Sequence, residues 1–283
     1  MNILIADSGS TKTSWCFKKD SDLDAGKIIT TSGINPFFLD ADDIETLLVS
    51  ELLPSLNGEM PDAIYFYGAG CTLEKSPTVK AALQKVFGMP ATVNVESDML
   101  GAARSLCGRR PGIACILGTG SNSCLYDGNN IIGHISPLGF ILGDEGSGAT
   151  LAKLMVGNIL KGLMGKELKE EFLKQYSLTE SEIIDRVYRK PFPNRFLASL
   201  QPFIEQHIGM PQMHNLVLEA FISFFERNVK QYEGAEQLLV NFTGSIAFVY
   251  SEILAEAAYK CGIHIGKITK APLDNLVHYH INK

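Results

Sequence analysis

The chain has 283 residues and a mass of 30.9 kDa, which is long for one domain and about right for two at roughly 150 residues each. Apolar residues make up 46% of the sequence, so a disordered chain is excluded. With 25 Lys and Arg against 31 Asp and Glu, the net charge of −6 makes nucleic acid and anionic membranes poor partners. No apolar stretch reaches the roughly 18 residues of a membrane helix. The first residues also lack the basic segment and long apolar run of a signal peptide.

The cysteines and histidines form no pattern that is typical of a metal centre. The six cysteines include no Cys-x-x-Cys pair, which argues against a structural zinc site, an iron–sulfur site and a disulfide framework. Several lie in apolar runs, where a free thiol behaves as a small hydrophobic side chain. A reducing, cytoplasmic compartment is therefore predicted. The six histidines contain one spaced pair, His278 and His280, which we assign to the surface.

Hydrophobic periodicity predicts that strands and helices alternate in the first part of the chain. The predicted elements are strands at 2–6, 13–17 and 27–31, a helix at 42–53, a strand at 63–67, a helix at 78–86, a strand at 91–95 and a helix at 98–107. We expect the helix at 42–53 to end before Pro54, because proline has no backbone N–H to donate.

The second part begins with a pattern that resembles the first. The predicted elements are strands at 113–117, 122–126 and 131–135, helices at 149–163 and 215–232, a strand at 237–242 and a helix at 246–260. The order strand, polar Gly-Ser turn, strand occurs at 5–10 and again at 116–121. We interpret this repeat as an internal duplication, which predicts two related α/β lobes that meet near 109–112.

The turn after the first strand is a candidate phosphate-binding loop, with the sequence Asp-Ser-Gly-Ser-Thr-Lys-Thr at 7–13. Glycine has no Cβ and lets backbone N–H groups approach a phosphate, while hydroxyls and a lysine add donors and positive charge. An aspartate at the strand end can hold Mg²⁺ through water ligands. The predicted nucleotide contacts are Asp7, Gly9, Ser10, Thr11, Lys12 and Thr13. By itself, the segment fits an ordinary polar hairpin equally well.

Two further glycine turns resemble this loop. The sequence Gly-Thr-Gly-Ser-Asn at 118–122 occupies the equivalent place in the second part of the chain, which favours a nucleotide held by both loops. The predicted phosphate contacts there are Gly118, Thr119, Gly120 and Ser121. The turn with Gly244 and Ser245 is the predicted adenosine contact, although such strand-to-helix turns are common.

A glycine-rich loop at 139–148 carries Asp144 and Glu145 just before a predicted helix. Carboxylates at this place can accept hydrogen bonds from the hydroxyls of a sugar. The alternative is that they cap the helix. Asn35 precedes a proline and an aromatic residue, and it can bind a ligand hydroxyl or amide or simply form a turn.

Asp98 is the candidate catalytic base. It follows a predicted strand and opens a helix, and the carboxyl ends of strands are where α/β folds place their ligands. A carboxylate there can accept the proton of a hydroxyl that attacks a γ-phosphate. The alternative is a plain helix N-cap.

Together these motifs resemble the superfamily of sugar kinases, actin and heat-shock chaperones. More narrowly, Asp98, the turn at 118–122 and the Gly-Asp-Glu-Gly-Ser run at 143–147 are similar to the N-acetylglucosamine kinase branch of the BadF/BadG/BcrA/BcrD ATPase family. The resemblance extends from residue 1 to about 260. It implies an α/β fold of two ribonuclease-H-like lobes, 1–110 and 111–270, with a cleft between them and a second lobe enlarged by helices. It also implies that a C-terminal helix at 271–283 joins the first lobe.

The resemblance implies a role for each matching residue. Asp98 is the implied base, Thr11 and Thr119 contact the phosphates of ATP, and Asp7 supports Mg²⁺. The implied sugar contacts are Asn35, Asp98, Asn122, Leu138, Gly139, Asp144 and Glu145.

The sequence departs from this family at two places that bear on which sugar is bound. Pro137-Leu138-Gly139 stands where the mammalian kinase has Gly-Trp-Gly, and Pro36-Phe37 follows Asn35 where His-Trp is found in the family. The adenosine motif has Gly244-Ser245 where a Gly-Gly pair is common.

Three functions stay open at this point. The leading prediction is an ATP- and Mg²⁺-dependent kinase that converts an amino sugar, first of all N-acetylglucosamine, to its 6-phosphate, with glucosamine or a muramic-type sugar as close variants. The second is an ATPase activator that drives electron transfer, although such proteins hold an iron–sulfur cluster with cysteines. The third is a sugar or nucleotide sensor without catalysis. The predicted partner is a small-molecule sugar, and a homodimer is expected by analogy only.

Overall fold

The computed structural model describes residues 1–9, 11–21, 26–88 and 92–281. The chain divides into two compact units. The first unit comprises Met1–Arg110, Asp127–Ile131 and Ala271–Lys283, and the second comprises Pro111–Tyr126 and Ile132–Lys270. Within the described ranges, no helix is both long enough and apolar enough to cross a membrane.

The described residues form ten strands. They are β1 (Ile3–Ser8), β2 (Lys12–Lys18), β3 (Lys27–Ser32), β4 (Ala63–Gly68), β5 (Thr92–Ser97), β6 (Gly112–Leu117), β7 (Ser121–Tyr126), β8 (Ile131–His134), β9 (Leu239–Thr243) and β10 (His264–Thr269).

The same residues form fourteen α-helices. They are α1 (Ala41–Leu47), α2 (Leu53–Leu56), α3 (Ser76–Phe87), α4 (Asp98–Cys107), α5 (Gly139–Leu142), α6 (Gly148–Leu160), α7 (Lys166–Tyr176), α8 (Glu180–Tyr188), α9 (Pro193–Ser199), α10 (Pro202–Gln206), α11 (Pro211–Arg227), α12 (Ser245–Val249), α13 (Ser251–Cys261) and α14 (Leu273–Ile281). A π-helical segment (Leu48–Leu52) joins α1 to α2, and a 3₁₀ turn (Val229–Gln231) follows α11.

Each unit is built on one five-stranded sheet. The strand order is β3-β2-β1-β4-β5 in the first sheet and β8-β7-β6-β9-β10 in the second. β1 runs antiparallel to β2 and parallel to β4, and β6 runs antiparallel to β7 and parallel to β9. The two sheets therefore repeat one topology. This confirms the predicted α/β fold class and accounts for the repeated Gly-Ser turn.

Both faces of the first sheet are covered by helices. Along β1, Leu4 belongs to a core cluster with Ile44 of α1, whereas Ile5 belongs to a cluster with Leu276 of α14. Successive side chains of a strand point to opposite faces, so α1 and α14 lie on opposite sides of the sheet. β1, β4 and β5 run parallel to one another, so their carboxyl ends lie at the same edge of the sheet.

The core of the second unit includes the aromatic run that the sequence places at 221–225. Phe221, Phe224 and Phe225 of α11 are fully buried, and Phe225 meets Phe242 of β9 edge-on with ring centroids 5.9 Å apart. These buried rings belong to one hydrophobic cluster that includes residues of α11 and of the second sheet.

Pro54 does not end the helix that begins at α1, so this prediction is wrong. The hydrogen-bond pattern changes to π-helical at Leu48–Leu52, and a new α-helix starts at Leu53 with the proline in its first turn. The first turn of a helix leaves its N–H groups without an intrahelical partner, so a proline there sacrifices no hydrogen bond.

Two other elements differ from those that the hydrophobic periodicity predicts. The strand β10 is not predicted, and its exposed His264 and Lys267 break any apolar alternation. The single helix predicted at 246–260 is two helices, α12 and α13, which are separated by Tyr250 at φ −104° and ψ 30°. Tyr250 is buried, so tertiary packing and not local propensity sets this break.

His280 is partly buried, and its assignment to the surface is wrong. Its Nε2 lies 2.8 Å from the Tyr67 hydroxyl, and its ring stacks on Tyr65 with centroids 3.8 Å apart. Arg104 donates to the Tyr67 hydroxyl at 3.0 Å, which leaves the tyrosine proton for His280. Burial, together with the positive charges of Arg104 and Arg109, lowers the pKa of His280 to about 4. The neutral imidazole thus ties α14 to the first sheet.

Candidate functional site

The turn between β1 and β2 exposes three of the six nucleotide contacts predicted in this segment. The Gly9 N–H donates to the Lys12 carbonyl at 3.0 Å and closes the turn, and the Gly33 N–H donates to the Thr11 carbonyl at 3.1 Å. Gly9, Thr11 and Lys12 are exposed. Ser10, the remaining contact in this turn, lies outside the described residues.

Thr13 lies in the interior of the hairpin and not on its surface. It is fully buried, and its hydroxyl lies 2.7 Å from that of Ser8 and donates to the Ser32 carbonyl at 3.1 Å. The Ile34 N–H donates to Ser8 Oγ at 3.0 Å. Thr13 and Ser8 therefore hold the base of the turn. Ser8 is not among the site residues predicted from the sequence, although a polar residue at the end of a buried strand is a signal for such a network.

Asp7 and Asp98 interact at the carboxyl edge of the first sheet. Burial, together with the negative charge of Asp98, raises the pKa of Asp7 to about 7, and the positive charge of Lys12 partly offsets the rise. β1 pairs with β4 and β4 with β5, so the end of β1 and the start of α4 after β5 reach the same edge. Two neighbouring carboxylates that are partly buried indicate a functional site, because their mutual repulsion does not stabilise the fold.

Asp98 is the first residue of α4, but it is not the N-cap. Ser97 takes that position, with φ −67° and ψ 151°, and its Oγ accepts the Leu100 N–H at 3.2 Å. Asp98 Oδ1 accepts the Met99 N–H at 2.8 Å, which fixes the orientation of the carboxylate at the helix N-terminus. The capping alternative for Asp98 is therefore wrong. A serine before a helix is the sequence signal that would have found Ser97.

Asn35 forms the turn that follows β3. It is 7% exposed, its Oδ1 accepts the Phe37 N–H at 3.0 Å, and its carbonyl accepts the Phe38 N–H at 3.0 Å. Gly70 has φ +81°, and a Cβ there would collide with Asn35 Oδ1. Only glycine lets the chain after β4 pass this close to Asn35.

In the second unit, the turn between β6 and β7 lies against the start of α6. The Gly148 N–H donates to the Gly118 carbonyl at 2.8 Å, and the Ala149 N–H donates to the Thr119 carbonyl at 3.1 Å. The first amides of α6, which have no intrahelical partner, are thereby bonded to the turn. Thr119 is exposed, and Ser121 is buried.

Asp144 bonds the glycine-rich loop at 139–148 to this turn. It is 8% exposed and has φ +50°, and its Oδ1 accepts the Ser121 N–H at 3.2 Å. A Cβ at Gly120 would lie 3.1 Å from Asp144 Oδ2, so the glycine makes room for the carboxylate. Burial, with a further contribution from Glu145, raises the pKa of Asp144, while the Ser121 hydrogen bond opposes the rise.

Glu145 is bonded to the end of α11. Its Oε1 lies 2.6 Å from Arg227 Nε, and its Oε2 accepts from Asn228 Nδ2 at 3.2 Å. Arg227 and Asn228 are absent from the sequence-based predictions, because nothing in the linear pattern links them to a loop about 80 residues earlier.

Leu138 and Gly139 form an exposed bend before the acidic loop. Their φ angles are +59° and +72°, and the Asp144 N–H donates to the Pro137 carbonyl at 2.8 Å. Leu138 is 58% exposed, and Ile141 and Leu142 in α5 are also exposed. The bend thus presents exposed apolar side chains just before Asp144 and Glu145.

Gly244 joins β9 to α12 at a place that only glycine can occupy. Its φ is +120°, and a Cβ there would collide with the Leu117 carbonyl of β6. The Gly244 N–H donates to the Thr269 carbonyl at 3.0 Å. Ser245 follows it as an exposed first residue of α12. Close packing of two chain segments thus requires this glycine, whatever else it contacts.

The acidic pair in the first unit fits a magnesium ion that arrives with a phosphate. Within the described ranges, no group of three or more His, Cys, Asp or Glu side chains is arranged to hold a metal ion. Mg²⁺ is commonly held by one or two carboxylates together with phosphate oxygens and water. The raised pKa of Asp7 reflects a carboxylate whose charge lacks compensation, and a divalent cation would supply it.

The topology of the two sheets and their glycine turns define the class of protein. Two sheets of one topology, each with a Gly-Ser turn between its first two strands, form the fold of the two-lobed sugar kinases and actin-like ATPases.

Comparison with solved structures then gives the family. The "Putative N-acetylglucosamine Kinase" from Porphyromonas gingivalis is 49% identical, with 99% of each chain covered and a TM-score of 0.95. The protein of the same description from Chromobacterium violaceum is 15% identical, with 98% of each chain covered and a TM-score of 0.77. A ROK family glucokinase from Streptomyces griseus, in complex with glucose and AMPPNP, is 14% identical, with 98% of this chain and 97% of that chain covered and a TM-score of 0.55.

The last two comparisons show the fold alone. No protein-family model and no curated protein matches the chain. With 49% identity over nearly its whole length, the chain belongs to the same family of sugar kinases as the Porphyromonas gingivalis protein.

Proposed function

We propose that the protein phosphorylates an amino sugar with ATP, first of all N-acetylglucosamine at its 6-hydroxyl. The observation that carries this proposal is the acidic pair at the carboxyl edge of the first sheet, with Asp98 oriented by the Met99 N–H at 2.8 Å. The name of the 49%-identical Porphyromonas gingivalis protein supports the substrate class. Within the superfamily we place the chain in the BadF/BadG/BcrA/BcrD branch on its motifs.

Asp98 is the general base in this proposal. It accepts the proton of the sugar hydroxyl as that oxygen bonds to the γ-phosphorus and the bond to the β-phosphate oxygen breaks, with ADP as the leaving group. Such a transfer needs positioning and charge neutralisation more than a nucleophilic side chain. The Ser97 cap and the Met99 hydrogen bond hold the carboxylate in place without reorganisation during the reaction.

The nucleotide contacts follow from the three glycine turns. Thr11 and Lys12 would donate to phosphate oxygens, Thr119 would do so from the second turn, and Gly244 with Ser245 would meet the adenosine. A magnesium ion, when bound, neutralises phosphate charge, and Asp7 would hold it through water. Support comes from the exposure of Thr11, Lys12, Thr119 and Ser245.

The sugar contacts are proposed at two sets of residues. Asn35 and Asp98 belong to the first unit, and Asn122, Leu138–Gly139, Asp144 and Glu145 to the second. Asp144 and Glu145 already accept hydrogen bonds from the protein, which fixes their orientation and leaves further lone pairs for hydroxyl donors. All six cysteines are thiols, which together with the use of ATP fits the predicted cytoplasm. A homodimer stays a prediction.

ADP release with Mg²⁺-ATP and a panel of sugars tests the proposal. The panel contains N-acetylglucosamine, glucosamine, glucose, N-acetylmannosamine and N-acetylmuramic acid. Asp98→Asn is compared with Asp274→Asn, an exposed residue of α14 that serves as the matched control. We expect one sugar to drive turnover and Asp98→Asn to lower kcat by roughly 10² to 10⁴ without unfolding, while the control stays active.

The opposite result is equally clear. If ADP appears at one slow rate with every sugar and Asp98→Asn changes nothing, the kinase proposal fails. An ATPase that acts on a partner then becomes the better description. Binding of sugar or nucleotide without any turnover would point to a sensor.

A further inference from the structure

Asn122 of β7 and His134 of β8 contact each other across neighbouring strands. His134 Nε2 lies 2.9 Å from Asn122 Oδ1, and the Ser123 N–H donates to the same oxygen at 2.9 Å. Asn122 is partly buried, whereas His134 is exposed at the end of its strand. His134 belongs to no motif in the sequence and takes no part in the proposed chemistry.

This contact requires that the Nε2 atom of His134 carries a proton. A backbone N–H can only donate, so the atom of Asn122 that faces Ser123 must be the amide oxygen. His134 Nε2 meets that same oxygen, and two acceptors would repel each other. Nε2 must therefore carry a proton, in the neutral Nε2–H tautomer or in the imidazolium.

The orientation of the Asn122 amide follows directly. With Oδ1 bonded to Ser123 and His134, neither contact uses the two N–H groups of Nδ2. The amide is thus fixed as a donor and cannot turn its oxygen outward without losing both hydrogen bonds. A rotatable amide would offer either group to a ligand, but this one offers only N–H.

We propose that His134 is a positioning residue for sugar recognition, which locks Asn122 as a hydrogen-bond donor to an acceptor oxygen of the sugar. The inference rests on the proposed function, because it takes Asn122 as a sugar contact. A locked donor loses no rotational freedom when the sugar binds, and this lowers the cost of binding. His134 acts through Asn122, so its removal weakens sugar binding and leaves the phosphoryl transfer itself intact.

The strand pair that carries this contact is held by a second set of bonds. The Tyr232 hydroxyl accepts the Ile135 N–H at 3.1 Å, and it lies 2.8 Å from Ser123 Oγ, within hydrogen-bond distance. A Cβ at Gly133 would lie 3.2 Å from Leu125 Cβ, so β7 and β8 approach closely here. The Tyr232 hydroxyl thus links a residue next to Asn122 with a residue next to His134.

Three variants test the inference in the full-length protein. His134→Leu removes the donor, His134→Gln keeps an N–H donor at about the position of Nε2, and His264→Leu removes an exposed histidine of β10 as the matched control. KM for N-acetylglucosamine, KM for ATP and kcat are measured for each. We expect His134→Leu to raise the sugar KM roughly tenfold, the effect of one lost hydrogen bond, with kcat and the KM for ATP within about twofold of wild type.

The remaining outcomes separate this inference from the proposed function. His134→Gln should recover most of the sugar KM, and His264→Leu should match wild type. An unchanged sugar KM in His134→Leu, or an equal rise in the KM for ATP, would overturn the positioning role while the kinase function stands. If wild type itself turns over no sugar, the proposed function fails.

The contact can also be tested without any turnover. Proton–nitrogen correlation spectra of the ¹⁵N-labelled protein at pH 8 report which ring nitrogen of His134 is protonated. We expect Nε2–H alone in wild type and an admixture of Nδ1–H in Asn122→Ala. A neutral Nδ1–H tautomer in wild type would overturn the inference, whatever the activity.

Discussion

Asp7 offers a test of the acidic pair that needs no substrate. Burial and the charge of Asp98 raise its pKa from 3.8 to about 7, so the folded protein binds this proton more tightly than the unfolded chain does. The stability that the carboxyl contributes is fully present below about pH 4 and is lost as the pH rises through about 7. Asp7→Asn keeps the shape of the side chain and removes the charge, so it should stabilise the fold at alkaline pH.

The size of the effect follows from the two pKa values. Linkage gives a penalty from ionisation of about 4 kcal/mol at pH 8 and about 2 kcal/mol at pH 5. The cost of burying an asparagine amide is nearly independent of pH and cancels when the two conditions are compared. The free energy of unfolding of Asp7→Asn, relative to wild type, should therefore rise by about 2 kcal/mol between pH 5 and pH 8.

Urea unfolding of both proteins at the two pH values measures this difference, with Asp274→Asn as the exposed control. The control should differ from wild type by the same amount at both values. A difference between Asp7→Asn and wild type that is constant, or that shrinks with rising pH, would refute the reasoning. In the same experiment Mg²⁺-ATP should stabilise wild type more than Asp7→Asn, because a ligand stabilises only the state that binds it.

Three further predictions concern the residues around the two turns. Ser97→Ala removes the cap of α4, so it should cost about 1 kcal/mol in urea unfolding and lower kcat more than it raises either KM. Gly244→Ala places a Cβ against the Leu117 carbonyl at φ +120°, so it should lower the free energy of unfolding by more than about 3 kcal/mol or prevent folding. A soluble variant with an unchanged melting temperature would contradict this prediction. His280→Ala breaks the bond to Tyr67, and limited proteolysis followed by mass spectrometry should show faster loss of the C-terminal segment, whereas His278→Ala, an exposed neighbour, should not.

The strand-turn-strand pattern was predictable because it depends on short-range chemistry. An apolar run followed by a Gly-Ser turn can form a hairpin wherever it stands, and β1–β2 and β6–β7 do so with the predicted bounds within about two residues. The helix at 98–107 was likewise predicted with the bounds it has. The strand β10 was not predicted, because its half-exposed residues carry no clear alternation and it is defined by pairing with β9.

The sequence by itself determined the α/β class, the duplication and the residue types at each glycine turn, because all three are encoded in local periodicity and motif order. Tertiary structure decided which of those residues face outward. Thr13 is buried and lies beside the hydroxyl of Ser8. Ser97, and not Asp98, is the N-cap of α4, and Glu145 pairs with Arg227. These outcomes depend on partners distant in the chain, and a polar side chain can be read as bound or available only once the atoms that compete for its hydrogen bonds are in place.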